Sequence, residues 1–159
     1  MKVLIGKCNK KDEQKKSIRI DPWDTWNMDA TLALIIHPML KQLKKTQHGA
    51  PYTDDEDVPE YLHSTAAKPK KNDWDLDEFH FKRWDWVLSE MIWAFGEEVK
   101  DKEPNFWIEK SKWNKDGIVK SGKLDKEKMD KYFGRKKNAF RLFGKYYGNL
   151  WDYCKLKKN

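Results

Sequence analysis

The sequence carries two cysteines in 159 residues, Cys8 and Cys154, near opposite ends of the chain. That number and spacing exclude a zinc site built on paired thiolates and a dense disulfide framework, and fit a reducing compartment. Long apolar runs are also missing. No stretch approaches the ~20 apolar residues that a membrane-spanning helix needs, and residues 1–6 form too short an apolar run for a secretory signal. Neither a phosphate-binding glycine loop, nor a nucleophile elbow, nor a histidine-rich zinc helix occurs. Their absence lowers the enzyme reading without excluding it.

What is present is charge and aromatic area. Hydrophobic residues make up 38% of the chain, yet nine Trp, seven Phe and six Tyr concentrate that area in a few large side chains, which must anchor the core. The net charge of +7 is unevenly spread. Residues 1–45 hold ten Lys/Arg against five Asp/Glu, residues 46–97 hold five against twelve, and residues 98–159 hold eighteen against nine. The chain is therefore basic at both ends and acidic in its middle. Such a balance suits either a lysine-rich solvated surface or an electrostatic footprint for phosphates.

The clearest periodicity runs from Phe79 to Phe95, where Phe81, Trp84, Leu88, Met91 and Phe95 fall on one helical stripe. His80, Arg83, Trp86, Glu90 and Trp93 fall elsewhere, so this helix needs neighbours on more than one side. Residues 2–7 and 17–20 predict two small strands, and Asp21-Pro22 then marks a turn into a helix. Met28, Leu32, Ile35, Ile36, Met39, Leu40 and Leu43 share a face of that helix, which His37-Pro38 is expected to kink or divide. Residues 106–120 read as a hairpin turning at Asp116-Gly117. From Lys123 the pattern is helical again through Met129, Tyr132, Phe133, Phe140, Phe143, Tyr147, Leu150 and Trp151. Gly134, Gly144 and Gly148 inside it predict close approach of another helix or a large ring.

These elements give an α+β fold, mainly helical, with three to four packed helices and a small β-hairpin in one domain. Residues 1–22 form N-terminal strands or an arm, 23–97 helices with an acidic loop, 98–122 the hairpin, and 123–159 a basic helix and tail.

Two stretches carry candidate sites. In residues 48–63, four consecutive acids, Asp54, Asp55, Glu56 and Asp57, lie between two prolines and two histidines. His48, Asp54, Asp55 and Asp57, with His80 and Arg83 on the central helix, form a candidate ligand or divalent-metal site, since imidazole and carboxylate oxygens together suit such a cation. The same acids also suit a turn in which Asp57 caps a helix beginning at Pro59. Ser64 to Asn72 follows as a basic linker, and Arg83 is expected to form a bidentate ion pair with the acids at 54–57. The second stretch is Arg135, Lys136, Lys137, Arg141 and Lys145, cations interleaved with aromatics over three turns, a pattern able to grip phosphates while a ring stacks on a base. No cofactor motif occurs, and a divalent metal is the one cofactor that the pattern admits.

The chain resembles a family of small tailed-bacteriophage proteins of unknown function, many of them marine. The resemblance lies in Ile36-His37-Pro38-Met39-Leu40-Lys41-Gln42-Leu43, His48-Gly49-Ala50-Pro51 with Asp54-Asp55-Glu56-Asp57-Val58-Pro59, His80-Phe81-Lys82-Arg83-Trp84-Asp85-Trp86-Val87-Leu88 and Phe140-Arg141-Leu142-Phe143-Gly144-Lys145-Tyr146-Tyr147. It covers most of the chain from Trp26 to Trp151 and implies a protein made in the cytoplasm of an infected bacterium, or carried in the virion. The expected function is a non-enzymatic accessory protein that binds nucleic acid or a host or phage protein through the basic C-terminal region. The alternatives are a small-ligand, nucleotide or metal site at the acidic loop, and a virion or assembly component.

Overall fold

The computed structural model describes residues 2–8, 14–100, 102, 104–109, 112–113, 119–120 and 122–151. Its architecture is α+β and mainly helical: three packed helices accompanied by small antiparallel hairpins. Strands β1 (Lys2–Cys8) and β2 (Gln14–Arg19) pair antiparallel, Val3 opposite Ile18 and Ile5 opposite Lys16, with an irregularity between Ile5 and Cys8. The chain then turns through a 3₁₀ segment, Pro22–Thr25, closed by a reciprocal cap: Asp21 accepts from Trp23 N–H, and Asp24 accepts from Asp21 N–H at 2.7 Å.

Helix α1 spans Met28–Thr46 without interruption, although Pro38 lies inside it. The helix is not divided there. Pro38 and Leu34, the residue whose carbonyl loses its partner, are both exposed, so water can satisfy that oxygen. The buried stripe is also rotated from the expected one. Ala33 and Leu40 are fully enclosed, with Ile36 and Leu43 packed beside them, whereas Met28, Leu32 and Met39 stay exposed. His37 lies against Gly96 of the next helix, where a Cβ would stand 3.2 Å from the imidazole Nε2. That contact needs glycine at 96 or a retreat of the ring.

Helix α2, His80–Lys100, is the centre of the fold and packs between α1 and α3. Trp84, Leu88, Met91 and Phe95 are buried as their spacing predicts, joined by Val87 and Ala94; Phe81 is turned out to 54% exposure. Each fully buried side chain of this size contributes about 1.5–3 kcal/mol. Towards α1, the Lys44 ammonium meets Asp85 at 3.1 Å and Ser89 Oγ at 2.6 Å.

Beyond α2, β3 (Trp107–Glu109) pairs with β6 (Lys123–Leu124), and β4 (Lys112–Trp113) pairs with β5 (Val119–Lys120) inside them. The expected Asp116-Gly117 turn lies outside the described residues. Gly122 is required here, since a Cβ would stand 2.5 Å from the Glu109 carbonyl oxygen. Helix α3, Lys126–Lys145, starts at the Asp125 cap, whose carboxylate accepts Lys128 N–H at 3.0 Å. Its buried positions are Ala139 and Leu142, followed by Tyr146 just past its end.

Two expectations for α3 are corrected. The helix stops at Lys145 and passes into a 3₁₀ turn, Tyr147–Asn149, leaving Tyr147 and Trp151 exposed. Gly134, Gly144 and Gly148 face open space rather than a close neighbour, because the aromatic contacts form along the adjacent stripe. There Phe140 and Phe143 meet Phe95 edge-on at 5.3 and 4.8 Å, and Tyr146 meets Trp84 at 5.6 Å.

Candidate functional site: a pinned loop and the cleft beneath it

Residues 47–79 join α1 to α2 as a strap of short 3₁₀ turns, Asp55–Asp57, Glu60–Leu62 and Ser64–Ala66. Prolines at 51, 59 and 69 disfavour longer helices, so the strap is held by side chains. Val58 and Leu62 enter the core, while polar groups fix the backbone between them. Asp55 turns away from the other acids and caps the third turn, accepting Ser64 N–H at 2.8 Å and Ser64 O–H at 2.5 Å. The Ser64 hydroxyl is the main reason its carboxyl lies below the usual carboxylate range.

Asp57 is the centre of the strap. Its side chain is wholly enclosed and meets three donors from the end of α3: Arg141 Nη2 at 2.6 Å, Tyr146 O–H at 2.7 Å and Lys145 Nζ at 2.6 Å. Burial alone would raise its pKa, but the hydrogen bonds from Lys145, Tyr146 and Arg141 together hold it below the ordinary value. Burial, and then the bond to Asp57, push the Tyr146 phenol up to about 12. Tyr146 Oη in turn accepts Asp54 N–H at 3.1 Å. The expectation that Asp57 caps a helix at Pro59 is thus replaced by a tertiary contact between residues far apart in sequence.

Lys145 also reaches Asp54 at 2.8 Å and Glu56 at 2.9 Å. Carboxylate oxygens of Asp54, Glu56 and Asp57 lie within 4.8 Å of one another, a spacing that could chelate a metal ion. The ammonium of Lys145 stands among all three, a tethered cation bound to each carboxylate. The hydrogen bonds to Asp54 and then Asp57 raise its pKa well above that of an ordinary lysine.

Arg83 does not join this group. It is buried and pairs with Asp77, Nη1 to Oδ1 at 2.9 Å and Nη2 to Oδ2 in a shorter contact, and it also donates to the Leu62 carbonyl at 3.4 Å. Asp77 accepts Phe79 N–H at 2.8 Å as well, so this acid both starts α2 and holds its arginine. The expected bidentate pair of Arg83 with residues 54–57 does not form, because Asp77, six residues away, takes both guanidinium nitrogens; on that run Arg83 acts only through its charge, on Asp55. His80 is also structural: its Nε2 lies 3.1 Å from the Ala50 carbonyl oxygen, and its ring meets Tyr52 edge-on at 5.5 Å.

Between these anchors, the segment 48–51 roofs a cleft of about 280 Å³ against Trp84, with Asn149 and Trp151 closing it from the C-terminal side. His48 therefore belongs to the cleft, away from the carboxylates. The buried side-chain oxygens of Gln47 and Thr53, at the two ends of this segment, accept no hydrogen bond among the described residues. Nothing in the sequence marked Trp84, Asn149 and Trp151 as neighbours of His48, since each lies far from it along the chain.

The basic face of α3 is largely occupied. Arg135 binds Glu90 through two nitrogens at 2.7 and 2.8 Å and stacks on Trp93 at 4.0 Å, and Lys136 meets Glu98 at 2.8 Å. Arg141 and Lys145 serve the acidic loop. Of the five candidate phosphate-binding cations, Lys137 alone is exposed and unpaired among the described residues. No described helix is long and apolar enough to cross a membrane. Comparison of the chain with protein families, curated proteins and solved structures gave no match.

Proposed function

We propose that this protein is a non-enzymatic, small-ligand binding module, whose site is the cleft between the 48–51 segment and the central helix. The observation that carries it is the cleft itself, lined by His48, Pro51, Asn149 and Trp151 over the buried Trp84, beneath a strap anchored at both His80 and Asp57. A pocket preformed in this way loses little entropy on binding. Its one titratable wall residue among those described is His48, and no nucleophile and base converge there, which favours binding over catalysis. The resemblance to tailed-phage proteins supports a setting in the cytoplasm of an infected bacterium, as a phage accessory protein.

The second reading is a divalent cation held by Asp54, Glu56 and Asp57, favoured by their mutual spacing. Such an ion competes with Lys145 for the same oxygens. Nucleic-acid binding through α3 has weaker support, because four of its five cations already neutralise carboxylates of the body.

Thermal melting with a panel of small aromatic metabolites, and separately with Mg²⁺ or Mn²⁺, tests these readings. Stabilisation by an aromatic ligand that disappears in Trp151→Ala supports the cleft, because Trp151 lines it at the C-terminal side. Stabilisation by metal alone, enhanced in Lys145→Met, supports the second reading and displaces the first.

A further inference from the structure

We infer that the end of β2 and the 3₁₀ turn after it form a second interaction surface, separate from the cleft, whose partner is a single-stranded nucleic acid. Exposed cations on the strand stand next in the chain to a fixed pair of exposed indoles.

The indoles come first. Trp23 and Trp26 are 79% and 85% exposed, and their ring centroids lie 6.2 Å apart at a tilt of 51°. In a 3₁₀ turn, residues three apart share one side, which is where these two rings meet. The backbone beneath them is locked. Pro22 fixes the first position, the reciprocal cap of Asp21 and Asp24 closes the start, and Trp26 N–H donates to the Trp23 carbonyl at 3.2 Å. The Thr25 hydroxyl adds a bond to the Pro22 carbonyl at 2.8 Å. Two large flat side chains are thus held out in water on a preformed turn, so stacking on a partner costs little conformational freedom.

The strand supplies the charge. Residues 1–20 hold seven Lys/Arg against two Asp/Glu. From Lys16 to Ile20 every residue is exposed, so the end of β2 offers both of its faces to solvent. Lys16 and Arg19 stand about 10 Å apart along it. Arg19 precedes Trp23 by four residues, a reach of at most about 14 Å. In the register with β1, Arg19 is the partner of Lys2, so two cationic positions meet at the end of the ribbon that leads into the indoles.

A polymer with one negative charge and one flat ring in every unit matches both parts of this surface. Its phosphates suit Lys16 and Arg19, and its unpaired bases suit Trp23 and Trp26. A duplex matches only the cations, because its bases are already stacked on each other. A free base matches only the rings. An anionic bilayer also attracts lysine and tryptophan, but Asp21 and Asp24 lie in the same turn as the rings, and inserting that turn takes both carboxylates out of water. The surface lies far along the chain from α3, whose candidate cations are mostly held by carboxylates.

The test is fluorescence anisotropy of labelled oligo(dT) and oligo(dA) of about 12 nucleotides, single-stranded and annealed, titrated with the full chain between about 50 and 200 mM salt. Vesicles of phosphatidylserine and phosphatidylcholine are assayed beside them by co-sedimentation. The expected result is tighter binding of the single strands than of the duplex, and a loss of roughly tenfold or more when Trp23→Ala and Trp26→Ala are combined, at unchanged melting temperature. Lys16→Ala with Arg19→Ala should lower the slope of log affinity against log salt by about 1.4, the share of two single-strand phosphate contacts. Lys137→Ala, on the exposed face of α3, should change neither. Oligonucleotide binding that both double variants leave unchanged overturns the surface. A duplex bound as tightly as the single strands overturns the stacking and the partner class with it. Vesicle binding lost in the tryptophan variant, without oligonucleotide binding, replaces the nucleic acid by a membrane surface, and no binding of any probe overturns the proposal outright. Each of these outcomes is independent of ligand binding in the cleft.

Discussion

Asp57→Asn removes the charge that gathers Arg141, Lys145 and Tyr146 at the end of α3 and leaves the shape of the side chain almost unchanged. Removing one partner of a buried ion pair costs about 3–5 kcal/mol, because the opposite charge is left stranded. Here the stranded cations are partly wet: the Arg141 side chain keeps 46% and the Lys145 side chain 30% of its exposure, so water recovers some of the loss. Tyr146 is not so placed, being 4% exposed, and its hydroxyl must find the amide oxygen of the new Asn or go without. The lower end, about 3 kcal/mol, is therefore expected. In a chain of this length that lowers the melting temperature by roughly 6–12 °C. Urea unfolding should show a lower midpoint at an unchanged slope. In a double-mutant cycle with Lys145→Met, the two losses should fall short of additive by about 1–3 kcal/mol. Asp54→Asn, whose side chain is 65% exposed, should cost at most about 1 kcal/mol. An Asp57→Asn protein within about 0.5 kcal/mol of wild type would refute the view that this carboxylate pins the strap.

Three further outcomes are expected. Trp84→Ala should cost on the order of 3–5 kcal/mol, read by chemical denaturation, and a variant that melts near wild type contradicts the central place of α2. Arg83→Met and Asp77→Asn should couple by about 0.5–3 kcal/mol, while Arg83→Met and Asp57→Asn should add; the reverse pattern restores the pairing expected from sequence. Tyr146 has its folded pKa raised from 10.0 to about 12, so the neutral phenol favours the folded state. That contribution is complete below pH 10 and is lost as pH rises to about 12, an effect of roughly 2–3 kcal/mol. Tyr146→Phe should flatten stability over that window, leaving the loss due to Lys145, whose raised pKa acts in the same direction.

The helices were legible because their apolar residues repeat at a local period, and the hairpins because short apolar runs flank turn residues. Faces were less legible. In α1, three of the seven apolar residues assigned to one stripe, Met28, Leu32 and Met39, are exposed, and the structure buries Ala33, which a search for large side chains passes over. Pro38 read as a breaker because propensity weighs one lost bond, while the packing of α1 against α2 decides the outcome. In the loop, the unusual run of acids was visible, and it does hold a site-like cluster. Its partners were not, since an ion pair between Asp57 and Lys145 leaves no trace in local spacing. Arg83 shows the same limit from the other side: two acidic groups competed for it, and backbone geometry at the start of α2 chose Asp77. The cleft was least legible of all, because it is a space left between three segments far apart in sequence.

The most direct measurement follows the nine tryptophan indole N–H signals by nitrogen-edited NMR as each of the small aromatic metabolites is added. A cleft roofed by residues 48–51 predicts saturable shifts at Trp84 and Trp151 with the same midpoint, and none at Trp23, Trp26 or Trp74, which stand exposed elsewhere. The Trp84 shift should weaken in Trp151→Ala, which removes one wall of the cleft. Indole signals that stay fixed throughout, or that move only at Trp23, Trp26 or Trp74, contradict the account.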